Sequence, residues 1–126
     1  MLSESKAFSG FAVDDLKQAE EFYGETLGLR TELLDEENGL LTLHLAGDRQ
    51  TLIYRSPGFT PASYTILNFP VDDIDKAVDD LTARGVSFER YDGMPQDEKG
   101  VMREGGPLIA WFKDPAGNTL SVLQER

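Results

Sequence analysis

Apolar positions along this chain follow two spacings that alternate, and the whole succession occurs twice. A short apolar strand ends at Val13. Leu16, Ala19, Phe22 and Tyr23 then fall at i, i+3, i+6 and i+7, which is one face of a helix. Gly28 suits a left-handed stop for that helix. Strands are expected at about 30–35, 40–46 and 50–55, separated by the turn-forming stretches Glu-Glu-Asn-Gly and Ala-Gly-Asp-Arg. In the second half a strand ends at Val71, and Ile74, Ala77, Val78 and Leu81 form the next helical face. Gly85 closes that helix, and strands follow at about 86–91, 107–113 and 118–124.

The two halves share more than spacing. Val13-Asp14-Asp15 and Val71-Asp72-Asp73 each precede a helix that has an alanine, Ala19 or Ala77, at the matching position. The chain therefore reads as two copies of one β-α-β-β-β unit. An aspartate of each pair, Asp14 or Asp15 and Asp72 or Asp73, is placed to cap its helix, where free N–H groups and the positive dipole end meet a carboxylate. Residues 92–106 are polar and glycine-rich, and a loop of that length in a compact domain is functional or mobile. Its charged residues Asp97, Glu98, Lys99, Arg103 and Glu104 form either a lid over a ligand or a solvated surface.

Composition narrows the function classes. A chain of 126 residues makes one compact domain or two half-domains sharing a core. No stretch approaches the length of a membrane span, and the first residues lack the apolar core of a signal peptide, so no membrane role is expected. There is no cysteine, which excludes disulfides, a thiol nucleophile and cysteine-ligated metals, and the cytoplasm is the expected compartment. A net charge of −11 repels phosphate backbones, and no basic cluster carries interleaved aromatics, so nucleic acid is not an expected partner. The acidity serves solubility or attracts a cationic ligand, and composition does not separate these. Neither a phosphate-binding glycine loop nor a Gly-x-Ser-x-Gly elbow is present.

Three features in this order carry a resemblance: the Val-Asp-Asp strand–helix units, the βαβββ duplication, and the closing run Trp-Phe-Lys-Asp-Pro-Ala-Gly-Asn-Thr-Leu at 111–120. Together they resemble the vicinal oxygen chelate superfamily, which takes in glyoxalase I, bleomycin-binding resistance proteins, fosfomycin-resistance enzymes and extradiol dioxygenases. The resemblance covers nearly the whole chain. It implies an α+β fold in which two tandem βαβββ modules, about 1–58 and about 59–126, form a single domain over 1–126. Their eight strands would curl into one mixed sheet, a cup, with the helices outside. It also implies a homodimer.

In catalytic members of that superfamily the cup holds a divalent metal on His, Gln and Glu side chains. Carried onto this chain, the early positions fall on Phe8 and Ile66, and the late positions on Ile53, approximately, and Ser121. Three apolar side chains and one neutral hydroxyl do not replace imidazole and carboxylate ligands, so no metal or other cofactor is expected. With Phe8 and Ile66 pointing inward, strand alternation adds Gly10, Ala12, Tyr64 and Asn68 to the cup. A tight hairpin at Ala-Gly-Asp-Arg would set Thr42 and His44 opposite Ile53 and Thr51, aim Arg55 inward and place Tyr54 beneath the helix. At the last hairpin Ile109, Trp111 and Lys113 come opposite Leu123, Ser121 and Thr119.

The expected ligand-binding set is thus His44, Tyr64, Asn68, Trp111, Ser121, Phe8, Ile66 and Arg55. Such a lining suits an organic small molecule held by stacking and a few hydrogen bonds. His44, the single histidine, is a candidate base or ligand partner, or a structural residue of its strand. Trp111 is a stacking platform or sheet packing. The resulting expectation is a metal-independent protein that binds a hydrophobic or aromatic ligand, cationic compounds among the candidates. The alternatives are a glyoxalase- or dioxygenase-type enzyme working without the usual metal ligands, and a vestigial cup in a protein that acts through its dimer surface.

Overall fold

The computed structural model describes residues 1–126, and they divide into two compact units, Met1–Thr60 and Pro61–Arg126. The fold is α+β, each unit carries one sheet with its helix, and neither sheet closes into a barrel. No helix is long and apolar enough to cross a membrane.

The first unit runs through β1 (Ser9–Val13), α1 (Leu16–Glu21), β2 (Arg30–Asp35), β3 (Leu40–Leu45) and β4 (Arg49–Arg55). The sheet order is β1-β4-β3-β2, with β1 parallel to β4 and the other pairs antiparallel. Helix α1 starts where the Asp15 carboxylate accepts the Gln18 N–H at 3.0 Å, so the second aspartate of the motif is the cap. The helix continues into a π-helical turn at Phe22–Thr26, which seats Tyr23 with no exposure, its ring 5.6 Å from that of Phe11. Gly28, at φ +73°, then reverses the chain, and the Leu29 N–H closes on the Tyr23 carbonyl. Phe11, Val13, Leu41, Leu43 and Ile53 form the buried face, each contributing about 1.5–3 kcal/mol of burial.

The β3–β4 hairpin differs from the sequence expectation by one residue. Leu45 pairs with Arg49 across a three-residue loop, in which Gly47 and Asp48 have φ of +80° and +57°. Thr42 therefore faces Leu52, and His44 faces Gln50. Because side chains alternate with period two, this odd loop length turns β4 over relative to the expected tight hairpin. Ile53 lies fully buried on the helix-covered face and Arg55 shares that face, while Tyr54 stands on the helix-free face, 38% exposed.

The second unit contains β5 (Thr65–Pro70), α2 (Ile74–Ala83), β6 (Leu108–Lys113) and β7 (Thr119–Gln124). Its sheet order is β5-β7-β6, with β5 parallel to β7 and β6 antiparallel to it. Asp73 caps α2 by accepting the Lys76 N–H, and the Gln124 side chain accepts the Ile74 N–H at 2.9 Å, tying the helix start to β7. Ile74, Val78, Ala110, Phe112, Leu120 and Val122 make the buried face.

Seven strands form rather than eight. The segment expected as a strand at 86–91 is reduced to a bridge between Phe88 and Phe112 and a bond from the Glu89 N–H to the Trp111 carbonyl. The reason is Gln96, whose amide donates to the Glu89 carbonyl at 2.9 Å and accepts the Tyr91 N–H at 2.8 Å. Side-chain bonds thus take up backbone groups that a β ladder would use. Even so, the segment occupies in this unit the edge position that β2 holds in the first.

Candidate functional site

Each sheet has a helix-free face, and the sequence-derived candidates distribute over both. On the first sheet the rows Glu32–Thr42–Leu52–Gly10 and Arg30–His44–Gln50 run across the strands. His44 Nε2 lies 3.1 Å from Glu32 Oε1, with the imidazole side chain 18% exposed and the carboxylate 55%. An ionised carboxylate only accepts, so in this contact Nε2 is the donor. Phe8 precedes β1 and is 68% exposed. Arg55 is absent from this face. It donates to the Glu37 carbonyl at 3.0 Å and lines, with Asp14, Asp15, Lys17, Glu20 and Glu36, a groove of about 580 Å³ on the helix side.

On the second sheet Asn68, Ser121 and Trp111 occupy one row across β5, β7 and β6. Ser121 Oγ donates to Asn68 Oδ1 at 2.6 Å, and Ser121 is wholly buried. The Trp111 indole N–H donates to Thr65 Oγ1 at 3.2 Å. Strand β7 lies between these two residues and strands are spaced about 4.8 Å apart, so the indole spans β7 and roofs Ser121 and Thr119. The Tyr91 ring meets the indole edge-on at 5.6 Å, and Lys113 pairs with Glu89 at 3.6 Å beside it.

Thr65 is a residue that sequence reasoning missed. Alternation from Ile66 sends Tyr64 and Ile66 to this face, but the β5–β7 register shifts between Thr65 and Leu67. Ile66 takes the bulge, Thr65 pairs with Thr119, and Tyr64 precedes the strand at 73% exposure. Nothing in the sequence marks this position, because a bulge is set by the partner strand.

The loop 92–106 is a built structure docked on α2. Val101 is fully buried, and Asp97 Oδ1 accepts the N–H groups of both Lys99 and Val101 at 2.9 Å. Arg103 bridges Asp97 at 2.8 Å and Asp75 at 2.6 Å, while Lys99 reaches Asp79 at 3.1 Å and Asp75 at 3.5 Å. Burial pushes the Asp97 carboxyl up, but Arg103 and the two backbone donors outweigh it and hold the group below its ordinary value. The Arg103 hydrogen bond likewise holds Asp75 low, and Asp79 raises Lys99.

The positions where the resemblance places metal ligands do not fit a divalent cation. Phe8 and Ile66 offer no donor atom, Ile53 lies in the core, and the Ser121 hydroxyl is committed to Asn68. Nowhere in the chain do three His, Asp or Glu side chains gather in an arrangement that could hold a metal ion.

Comparison with known proteins places these faces in a family context. The model of the Glyoxalase/Bleomycin resistance protein/Dioxygenase superfamily matches residues 8–122. The uncharacterized protein YraH of Bacillus subtilis (strain 168) is 32% identical over 125 residues, spanning 89% of this chain and 91% of its own. The solved structure of TnmS3, an antibiotic binding protein from Streptomyces sp. CB03234, gives a TM-score of 0.69 at 25% identity, with 98% of each chain covered. A superfamily member from Sphaerobacter thermophilus DSM 20745 gives 0.69 at 26% identity, covering 94% of this chain and 97% of its own.

Proposed function

Because the chain belongs to the Glyoxalase/Bleomycin resistance protein/Dioxygenase superfamily, we propose that it is a small-molecule binding protein that works without a metal. It holds a hydrophobic or aromatic ligand on the helix-free faces of its sheets. Phe8, His44, Tyr64, Ile66, Asn68, Trp111 and Ser121 remain the contacting or supporting residues, whereas Arg55 is left out because it lies on the helix side. The proposal includes a single functional domain, a homodimer and a cytoplasmic setting. The observation that carries it is that Phe8, Ile53, Ile66 and Ser121, where the resemblance would place metal ligands, offer no donor set for a cation, the Ser121 hydroxyl being bonded to Asn68. The Streptomyces neighbour, described as an antibiotic binding protein, supports the same reading.

The test is thermal unfolding against a panel of aromatic small molecules, with and without a chelator. At least one compound should raise the unfolding temperature, and the rise should be unchanged by the chelator. A rise that the chelator abolishes would overturn metal independence, and no rise with any aromatic compound would overturn the binding reading.

A second reading has one observation in its favour. The His44–Glu32 pair is the arrangement of a general base oriented by a carboxylate. It would support metal-independent enzyme chemistry with His44 taking a proton. Turnover that persists in His44→Ala would remove that mechanism.

A further inference from the structure

We infer that the helix-free face of the second sheet selects planar aromatic ligands bearing a hydrogen-bond acceptor such as an acyl carbonyl, with Ser121 as the positioning residue. The inference rests on the binding reading above and adds the polarity of the ligand.

The orientation of Asn68 is the deciding feature. At 2.6 Å, the Ser121–Asn68 contact falls in the range of an O–H···O bond and below the usual N–H···O range of about 2.7–3.2 Å. The hydroxyl therefore donates to the amide oxygen, and the amide nitrogen points away from Ser121. Ser121 has no solvent exposure, so its proton is not shared with water. Asn68 itself is exposed, and its Nδ2 donates to no other group of the protein, leaving two N–H donors outward.

Beside it, the Trp111 N–H is already used on Thr65, so the half-buried indole presents π surface and no free donor. Tyr91 braces the indole edge. Glu89, whose backbone N–H bonds the Trp111 carbonyl, has its carboxylate paired with Lys113. The face thus offers a flat apolar surface with donors at one end. A flat ring stacks on the indole and an acceptor on that ring meets Asn68. A ligand whose only polar group is a donor, such as an ammonium, gains nothing there, although the net charge of −11 favours cations at long range.

The test compares 2-acetylnaphthalene with 2-ethylnaphthalene, which differ by a carbonyl in place of a methylene. Dissociation constants come from equilibrium dialysis, and the indole ¹H–¹⁵N signal of Trp111, the single tryptophan, locates the binding. The acetyl compound should bind at least about fivefold tighter, the ratio a single net hydrogen bond gives. Asn68→Ala should bring the ratio to about one. Ser121→Ala should lower the ratio toward one, whereas a merely structural role would weaken both compounds alike and keep the ratio. Should Asn68→Ala unfold through its unpaired Ser121 hydroxyl, the double variant Asn68→Ala/Ser121→Ala removes both partners and should give the same ratio of about one. Equal binding of both probes at Trp111 in the wild type would overturn the inference and leave the binding reading standing. No binding of either would likewise overturn the inference, and the binding reading would fall with it only if the whole aromatic panel also failed to bind.

Discussion

Substituting a glutamate for Ser121 would put a carboxylate beneath the Trp111 indole, at a position without solvent exposure. The added volume alone costs about 1–3 kcal/mol, and desolvating a charge adds to that. Neither Phe8 nor Ile66 could help such a carboxylate hold a cation. Ser121→Glu is therefore expected to lower the urea midpoint without creating metal-dependent stabilisation, checked by unfolding with and without added Zn²⁺ or Mn²⁺. Tyr23 belongs to the same scale. It is fully buried against Phe11, and Tyr23→Ala should cost about 3–5 kcal/mol in denaturant unfolding. Both residues were partly legible in sequence. Tyr23 fell on the apolar stripe of its helix, and Ser121 fell at a family position. That the Ser121 hydroxyl bonds Asn68 was not legible, because a side-chain bond across two strands depends on register.

At the scale of elements, what was local was readable and what depended on a partner was not. Helix starts at Asp15 and Asp73 and the stops at Gly28 and Gly85 follow from capping and positive φ, which a few neighbouring residues determine. The β3–β4 register turned on whether the loop has an odd or even length, and that error moved Ile53, Tyr54 and Arg55 to the opposite faces. The bulge at Ile66 and the Gln96 network are likewise products of contacts distant from the local pattern. Gln96→Ala would leave the Tyr91 N–H and the Glu89 and Gly100 carbonyls without their partner. It should destabilise the protein by about 2–3 kcal/mol and speed amide exchange at Tyr91.

The 92–106 loop carries its own pH dependence. Asp97 and Asp75 have folded-state pKa values held below their ordinary ones. Their contribution is therefore complete above the unfolded value of about 3.9 and is lost as pH falls through the lower folded values. Asp97→Asn keeps an oxygen for the Lys99 and Val101 N–H groups but loses the charge facing Arg103. At pH 7 it should cost about 1 kcal/mol after allowance for solvent screening. Lowering the pH from 7 to 3 should reduce the urea midpoint of the wild type more than that of the variant. An equal fall in both would remove Asp97 from this role.

At the scale of the whole molecule, the duplicated α+β plan and family membership were both legible, because repetition and motif order survive changes in individual side chains. No three His, Asp or Glu side chains gather in the chain to hold a metal ion, and the proposed reading gives the polar groups on the helix-free faces to an organic ligand. The direct measurement is native mass spectrometry of the purified protein coupled to elemental metal analysis. It should show no stoichiometric divalent metal, and an organic adduct that withstands chelation and is lost in Trp111→Ala. A stoichiometric metal, with ligand retention that fails on chelation, would contradict metal-independent binding.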